Sequence, residues 1–274
     1  MKKILIFLAF TVLIHSQDIK LNYLKSFGEF NDAVGFTILN NNVIVLEAEK
    51  SRILKYNSAG ELIKTNGGFG WDSARFDEPS DIDSDLLKIY VCDKNNNRIQ
   101  VFDKDLNFIS IFTSGENGAA DFEYPSVCKV SNPGDLFFLD SENKSVFTLN
   151  VPTNEYREII NINNSNFSFE DPGYFDLDAS SNIYVIHENK LYIYDQFGNG
   201  LTSFNLNFTP KNIFINRGFI FINTETEIYY SPLYPNFVFK KIDIKEKDIV
   251  KCSVVESKLY LLLKNKVKVY SIEK

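Results

Sequence analysis

Histidine and cysteine, the residues most often found in metal and nucleophile sites, are scarce in this chain of 274 residues. His15 falls in a leader-like segment described below, so His187 is the one histidine expected in the mature protein. A zinc site with three histidine ligands is therefore excluded, and a Ser-His-Asp triad would need His187 as its base. We expect His187 to lie in a solvated turn. Cys92, Cys128 and Cys252 lie in apolar runs without a CxxC spacing, which is typical of small buried side chains.

Four aromatic residues and one lysine are candidates for ligand binding. Phe69, Trp71, Tyr124 and Tyr174 fall in predicted loops or at predicted strand starts on one face, and Lys211 opens a further strand there. Exposed Trp and Tyr side chains favour contacts with a protein, a peptide or a glycan. The alternative is that Phe and Tyr fill the core, as most of the 25 Phe and 14 Tyr residues must. Trp71, flanked by glycine and aspartate, is the residue we most expect to be exposed.

The charge of the chain argues against nucleic-acid binding. The formal net charge is −7, and it becomes −9 (27 basic, 36 acidic residues) once Lys2 and Lys3 leave with the leader. An acidic protein has the wrong sign for a phosphate backbone. Residues 240–274 nevertheless carry ten lysines against five carboxylates. This basic patch could orient the protein on an anionic surface, or it could protect an exposed strand from edge pairing.

The first 16 residues have the three-part form of a secretory signal. A short basic start, Met1–Lys3, precedes the uncharged run Ile4–Ile14, and polar residues follow from His15. Eleven residues are too few to span a bilayer, which needs roughly 20. We therefore predict a signal peptide at residues 1–16, a mature domain at 17–274 without a transmembrane segment, and export to the periplasm or the extracellular space.

A strand–turn–strand pattern recurs along the mature chain and sets its architecture. In the clearest copy, the apolar run Ile89–Asp93 is followed by a polar turn and a second run, Arg98–Asp103. Equivalent positions recur at intervals of 46, 47, 45, 37 and 39 residues, which is the period of a β-propeller blade. These positions are Ile53, Ile99, Val146, Leu191, Ile228 and Val267.

Each period also contains a short run before the hairpin and one after it, so that it supplies four strands. The sixth period has only three, whereas the chain begins with an additional run, Ile19–Phe27. We therefore predict an all-β, six-bladed β-propeller with four-stranded antiparallel blades, in which this N-terminal strand closes the last blade. The Asn-rich tract Asn161–Asn166 is predicted to be a surface loop between the third and fourth blades.

The second and third periods resemble NHL repeats, the units of a six-bladed β-propeller family that includes secreted bacterial proteins. The resemblance is close over these two periods, partial in the first and weak in the last three. It implies the fold but not an activity, since such propellers have many functions. The matching residues are Gly67 to Gly70, Phe76 to Pro79, Asp81 to Asp83, Ile89 to Val91, Asp93, Asn96, Arg98 to Phe102, Gly115, Gly118, Phe122, Pro125, Phe138 and Asp140.

Related propellers also suggest two catalytic alternatives. Amidating lyases of this kind hold zinc with histidines, and this chain has too few histidines to supply those ligands. Sugar-lactonase-like propellers hold Ca²⁺ in the central channel with oxygen ligands from the starts of the inner strands, and oxygen ligands are all that this ion requires. The residues here that would open inner strands are Asp32, Glu78 to Ser80, Glu123 to Ser126, Asp171, Lys211 with Asn212, and Asp248.

We predict from the sequence an exported, monomeric, non-catalytic module that binds or scaffolds a protein, peptide or glycan without a cofactor. The alternative is a calcium-dependent, lactonase-like hydrolase with the metal in the central channel. The basic final segment leaves a third interpretation, a structural component of a surface assembly.

Overall fold

A computed structural model describes residues 19–114, 122–161, 173–233 and 236–273. The predicted signal peptide and most of the Asn-rich tract lie outside these ranges. Within them the chain forms 24 strands and one short 3₁₀ turn at Lys94–Asn96. No helix in the described part of the chain is long and apolar enough to cross a membrane.

The strands form six separate antiparallel sheets of four strands, which confirms the predicted six-bladed propeller. Blade 1 contains β2 (Ala33–Leu39), β3 (Asn42–Glu47), β4 (Arg52–Tyr56) and β5 (Leu62–Gly67). Blade 2 contains β6 (Pro79–Ser84), β7 (Lys88–Asp93), β8 (Arg98–Asp103) and β9 (Phe108–Thr113). Blade 3 contains β10 (Pro125–Val130), β11 (Leu136–Asp140), β12 (Ser145–Asn150) and β13 (Glu155–Asn161).

The second half of the chain repeats this order from the innermost to the outermost strand. Blade 4 contains β14 (Tyr174–Leu177), β15 (Ile183–His187), β16 (Lys190–Tyr194) and β17 (Gly200–Asn205). Blade 5 contains β18 (Asn212–Asn216), β19 (Phe219–Asn223), β20 (Ile228–Pro232) and β21 (Lys240–Ile242). Blade 6 contains β22 (Ile249–Val255), β23 (Lys258–Leu263), β24 (Val267–Glu273) and, as its outermost strand, β1 (Lys20–Phe27).

The strand β1 closes the ring, as the sequence predicts. It pairs antiparallel with β24 from Lys20 opposite Glu273 to Phe27 opposite Val267. Apolar side chains anchor the ladder, because Leu21 packs on the buried residues between blades 5 and 6. The two ends of the described chain are therefore held in one sheet, and the outer edge of β24 is covered.

The hydrophobic core is divided among the six interfaces between neighbouring blades. Six clusters of buried residues are present, and each joins side chains of two adjacent blades. Ile44 and Val91, for example, belong to the cluster between blades 1 and 2, and Val45 and Val267 to that between blades 6 and 1. Each blade thus buries both of its faces, which explains the nearly continuous apolar runs of the middle strands.

Two local expectations can be compared with the structure. The three cysteines are buried, as predicted, and none of them forms a disulfide bond. His187 is not in a solvated turn; it is the last residue of β15 and is half-buried. The ladder continues to His187, which pairs with Lys190, so that the turn between these strands is shorter than predicted.

Candidate functional site

The innermost strands converge on the axis of the propeller and present equivalent residues in two layers. The strand registers define both layers, one residue from each blade. In blade order, the first layer contains Gly35, Asp81, Val127, Tyr174, Asn212 and Lys251. The second contains Thr37, Asp83, Lys129, Asp176, Phe214 and Ser253. Asp81, Asp83, Lys129, Asp176 and Lys251 are here called the axial cluster.

An ion pair crosses the axial channel within the first layer. Lys251 Nζ lies 3.1 Å from Asp81 Oδ1, and both side chains are buried. These residues belong to blades 6 and 2, which are not neighbours, because blade 1 lies between them. Blade 1 contributes Gly35 at this level, where an added Cβ would lie 3.1 Å from Asp81 Oδ1. The glycine therefore provides the space through which the ion pair passes.

The carboxylates of the axial cluster also join blades through backbone amides. Asp83 Oδ2 accepts a hydrogen bond from the amide of Val130 at 2.9 Å, which connects blades 2 and 3. Asp176 Oδ2 accepts one from the amide of Ile215 at 2.7 Å, which connects blades 4 and 5. In each contact a buried carboxylate accepts a hydrogen bond from a backbone amide of the next blade. The axial cluster therefore links neighbouring blades to one another.

The lysines determine which of the buried carboxylates is most strongly held as an anion. Burial alone would raise the pKa of Asp81, but Lys251 and Lys129 outweigh it and lower that pKa. At Asp176 and Asp83 the effect of burial is larger than the opposing effect of the Lys129 charge, so the pKa of each of these carboxyl groups is raised. Burial would lower the pKa of Lys129, but the carboxylates around it raise that pKa overall. The cluster thus combines three carboxyl groups with two ammonium groups.

Above the first layer, a cavity of about 320 Å³ opens at the mouth of the channel. Tyr174, one of the predicted ligand-binding residues, lines it, and so does Lys211. The Tyr174 ring lies 5.7 Å from both Lys129 Nζ and Lys251 Nζ, which places the side chain in the channel and not on the outer face. Its hydroxyl is buried near the Asp81 carboxylate without a hydrogen bond of normal geometry.

Two of the three carboxylates that line this mouth are paired with lysines. Asp32 lies 3.6 Å from Lys264, and Glu225 is paired with Lys211. Glu78, which the sequence also suggests as a ligand, pairs with Lys94 at 2.9 Å. In the ranges that the structure describes, no three Asp, Glu, His or Cys residues are grouped as metal ligands would be. Asp171 lies outside those ranges.

A second candidate site is the loop that leads from blade 1 into blade 2. This aromatic loop, residues 67–76, presents Phe69 and Trp71 with exposures of 73% and 74%. Its backbone folds on itself, because the amide of Phe76 donates to the carbonyl of Gly68 at 2.9 Å. The loop begins at Gly67 with φ +124°, where a Cβ would lie 2.6 Å from the carbonyl oxygen of Ser51, so a larger residue would be strained.

A buried arginine holds the aromatic loop in place. The guanidinium of Arg98 donates to the carbonyls of Trp71 at 2.6 Å, Asp72 at 3.0 Å and Arg75 at 2.8 Å. Its Nε donates to Asp93 Oδ2 at 2.6 Å, and the Asp93 carboxylate is fully buried. The planar, multiply bonded guanidinium therefore fixes the path of the loop while its two large side chains remain in solvent.

The structure separates the five predicted ligand-binding residues into groups. Phe69 and Trp71 share the aromatic loop, and Trp71 is exposed as predicted. Tyr174 and Lys211 share the mouth cavity. Tyr124 is half-buried, and its amide bonds to Asn97 Oδ1 at 2.9 Å. The axial cluster was not predicted from the sequence; the available signal was the presence of charged residues within otherwise apolar inner strands.

Comparisons with known proteins agree with this architecture. The family model for the NHL repeat matches residues 76–102, which include β7 and the Asp93–Arg98 pair. A search of curated protein sequences found no match. The crystal structure of virginiamycin B lyase from Staphylococcus aureus is similar, with a TM-score of 0.64 and 14% identity over 93% of this chain and 99% of the other. A gluconolactonase from Xanthomonas campestris gives a TM-score of 0.70 and 11% identity over 96% and 93% of the two chains.

Breaking the axial ion pair should destabilise the fold strongly. We expect Lys251→Met to lower the free energy of unfolding at pH 7 by about 3–5 kcal/mol, because Asp81 is left buried and charged. Without the lysine, burial raises the pKa of Asp81, so the deficit should shrink as the pH falls and the carboxyl group takes up a proton. Urea unfolding at several pH values measures both effects.

The double variant Asp81→Asn with Lys251→Met is the matched control for this prediction. It removes both charges and keeps an acceptor for the amide of Cys128. We expect it to be more stable than Lys251→Met alone. A Lys251→Met protein as stable as the wild type would contradict the role assigned to the pair.

The paired carboxylates also predict the response to calcium. The melting temperature should be the same in excess EDTA and in millimolar Ca²⁺. An ion bound at 100 times its Kd would add about 2.7 kcal/mol, enough to raise the melting temperature by several degrees. A reproducible rise with Ca²⁺ would contradict the expectation and favour the lactonase-like alternative.

Proposed function

We propose that this propeller, which contains an NHL repeat, is an exported, non-catalytic module that binds a protein or peptide through its aromatic loop. The observation that carries the proposal is the exposure of Phe69 and Trp71 on a loop whose backbone is fixed by Arg98. Large aromatic side chains contribute most of the energy at many protein interfaces. Two of them left in water on an ordered loop support a binding role.

Preorganisation strengthens this argument. A mobile loop would lose conformational entropy on binding, whereas the three carbonyl contacts of Arg98 hold this one before a ligand arrives. Asp93, which holds the arginine, also accepts hydrogen bonds from Gln100 at 2.9 Å and from the amide of Asp77 at 2.8 Å. The hydrogen bonds that support the loop therefore extend into the core of blade 2. As a result, ordering of the loop on binding costs little conformational entropy.

The polar groups in the channel favour a non-catalytic role over hydrolysis. Asp81, Asp83 and Asp176 each bond to a lysine or to a backbone amide of another blade. Groups engaged in this way stabilise the ring and are poorly placed to act on a substrate. The lactonase-like alternative depends on a channel-bound calcium ion, and two of its expected ligands, Asp32 and Glu78, are paired with lysines. Similarity to a lyase and a lactonase at 11–14% identity concerns the fold.

Export is the second part of the proposal. It rests on the basic start, the uncharged run and the polar end of residues 1–16. The protein then meets its ligand in the periplasm or outside the cell.

Removal of the exposed aromatic side chains should abolish binding and leave the fold intact. We expect peptides selected from a displayed library on the wild-type protein to bind Trp71→Ala and Phe69→Ala at least tenfold more weakly, the loss typical of an aromatic interface residue. Because Trp71 is the only tryptophan in the chain, its fluorescence reports binding at the loop directly. Leu86→Ala is the matched control, since Leu86 is 81% exposed in the hairpin between β6 and β7.

Leu86→Ala shows whether a loss of peptide binding is specific to the aromatic loop or follows from the removal of any exposed apolar side chain. Selected peptides should bind Leu86→Ala as they bind the wild type. Equal losses in all three variants, or no loss in Trp71→Ala, would contradict a binding site at the aromatic loop.

Expression of the full chain in a bacterial host tests export. We expect the periplasmic protein to begin at Gln17, as measured by intact mass and N-terminal sequencing. Leu8→Arg, which interrupts the uncharged run, should keep the protein in the cytoplasm at full length. A wild-type protein that retains residues 1–16 in the cytoplasm would refute the signal assignment.

A further inference from the structure

We propose that the mouth cavity binds a small organic cation that carries a primary ammonium group on a short aliphatic chain. The cavity is separate from the aromatic loop, since neither Phe69 nor Trp71 lines it. Its volume of about 320 Å³ lies at the lower end of the range for ligand pockets, which points to a small ligand. The inference does not depend on peptide binding at the loop.

The first observation is a buried acceptor that the protein leaves without a donor. Asn212 lines the cavity, has an exposure of 3%, and its Oδ1 atom has no hydrogen-bond partner. A buried acceptor without a donor is costly, and most such atoms in folded proteins are satisfied. An ammonium group offers three donors and no acceptor, which is the complement of this atom.

The second observation is an excess of negative charge around the cavity. Three carboxylates and two lysines line it. Asp32 is neutralised by Lys264, and Glu225 is neutralised by Lys211. The third carboxylate, Asp248, makes no ion pair with any described residue. The Asp248 carboxylate therefore gives the cavity a net negative charge, which attracts a cation and repels an anion.

The third observation concerns the walls of the cavity. Ala33, Val34, Ile249 and Val250 contribute apolar surface beside the polar groups. An aliphatic chain can lie against this surface while its ammonium group reaches Asn212 and Asp248. A bare metal ion would make no favourable contact with the apolar wall, whereas an alkylammonium ligand contacts both the apolar wall and the polar groups.

Three probes of equal chain length test this inference by isothermal titration calorimetry on the mature protein. They are 1,4-diaminobutane, 1,4-butanediol and succinate, which are cationic, neutral and anionic. We expect a saturable isotherm for the diamine, at least tenfold weaker binding of the diol, and no binding of succinate. Raising the salt concentration should weaken diamine binding, because charge contributes to it.

Two variants locate the binding. Asp248→Asn removes the unpaired charge and keeps a residue type that tolerates its φ of +57°, so the fold should be retained and diamine binding should weaken at least fivefold. Asn212→Leu removes the acceptor at similar volume and should weaken binding as well. Glu256→Gln is the matched control, since Glu256 is an exposed acid with a φ of +56° at the opposite end of blade 6, and it should bind like the wild type.

Each outcome is decisive. Absence of diamine binding to the wild type, equal affinity for the diol, or unchanged binding to Asp248→Asn would overturn the inference. Weakened binding to Glu256→Gln to the same extent would also overturn it, because it would indicate a general charge effect. None of these results bears on peptide binding, which is measured separately with Trp71→Ala.

Discussion

Closure of the ring by β1 and β24 is the constraint on which the rest of the molecule depends. Each of the six hydrophobic clusters lies between two blades, and blades 1 and 6 bury both of their faces only because they meet each other. The β1 strand supplies the fourth strand of blade 6 from the opposite end of the sequence. Closure therefore converts a linear series of hairpins into a ring without a free interface, and it fixes how closely the six innermost strands approach the axis.

That close approach explains the unequal residues along the axis. The residues of the first layer differ widely in size, and this layer combines Gly35 with Lys251 and Tyr174. The ion pair spans the space that the glycine leaves, and the tyrosine ring packs against the lysines. Buried ion pairs add little net stability compared with apolar packing, but their breakage is costly. Loss of one partner of the axial pair therefore costs more stability than the intact pair contributes.

The repeat pattern made the architecture predictable, because it depends on local alternation of apolar residues. Positions such as Ile53 and Val267 occupy equivalent places on the third strands, and the additional N-terminal run identified the closing strand. The Asp81–Lys251 pair could not be predicted in this way, since its partners are 170 residues apart. The position of Tyr174 at a strand start was also predictable. Which way its ring points depends on the other five blades, and no local pattern records that.

The two candidate sites relate differently to the repeat pattern. Blade 2, which matches the NHL model, supplies the Asp93–Arg98 pair that fixes the aromatic loop. The mouth cavity is instead built mainly by blades with weak repeats, which contribute Tyr174, Asn212 and Asp248. Six identical blades would offer six equal, shallow positions around the axis. Because blades 4 to 6 differ from one another, polar atoms gather on one side of the mouth, and asymmetry of this kind is what a single small ligand requires.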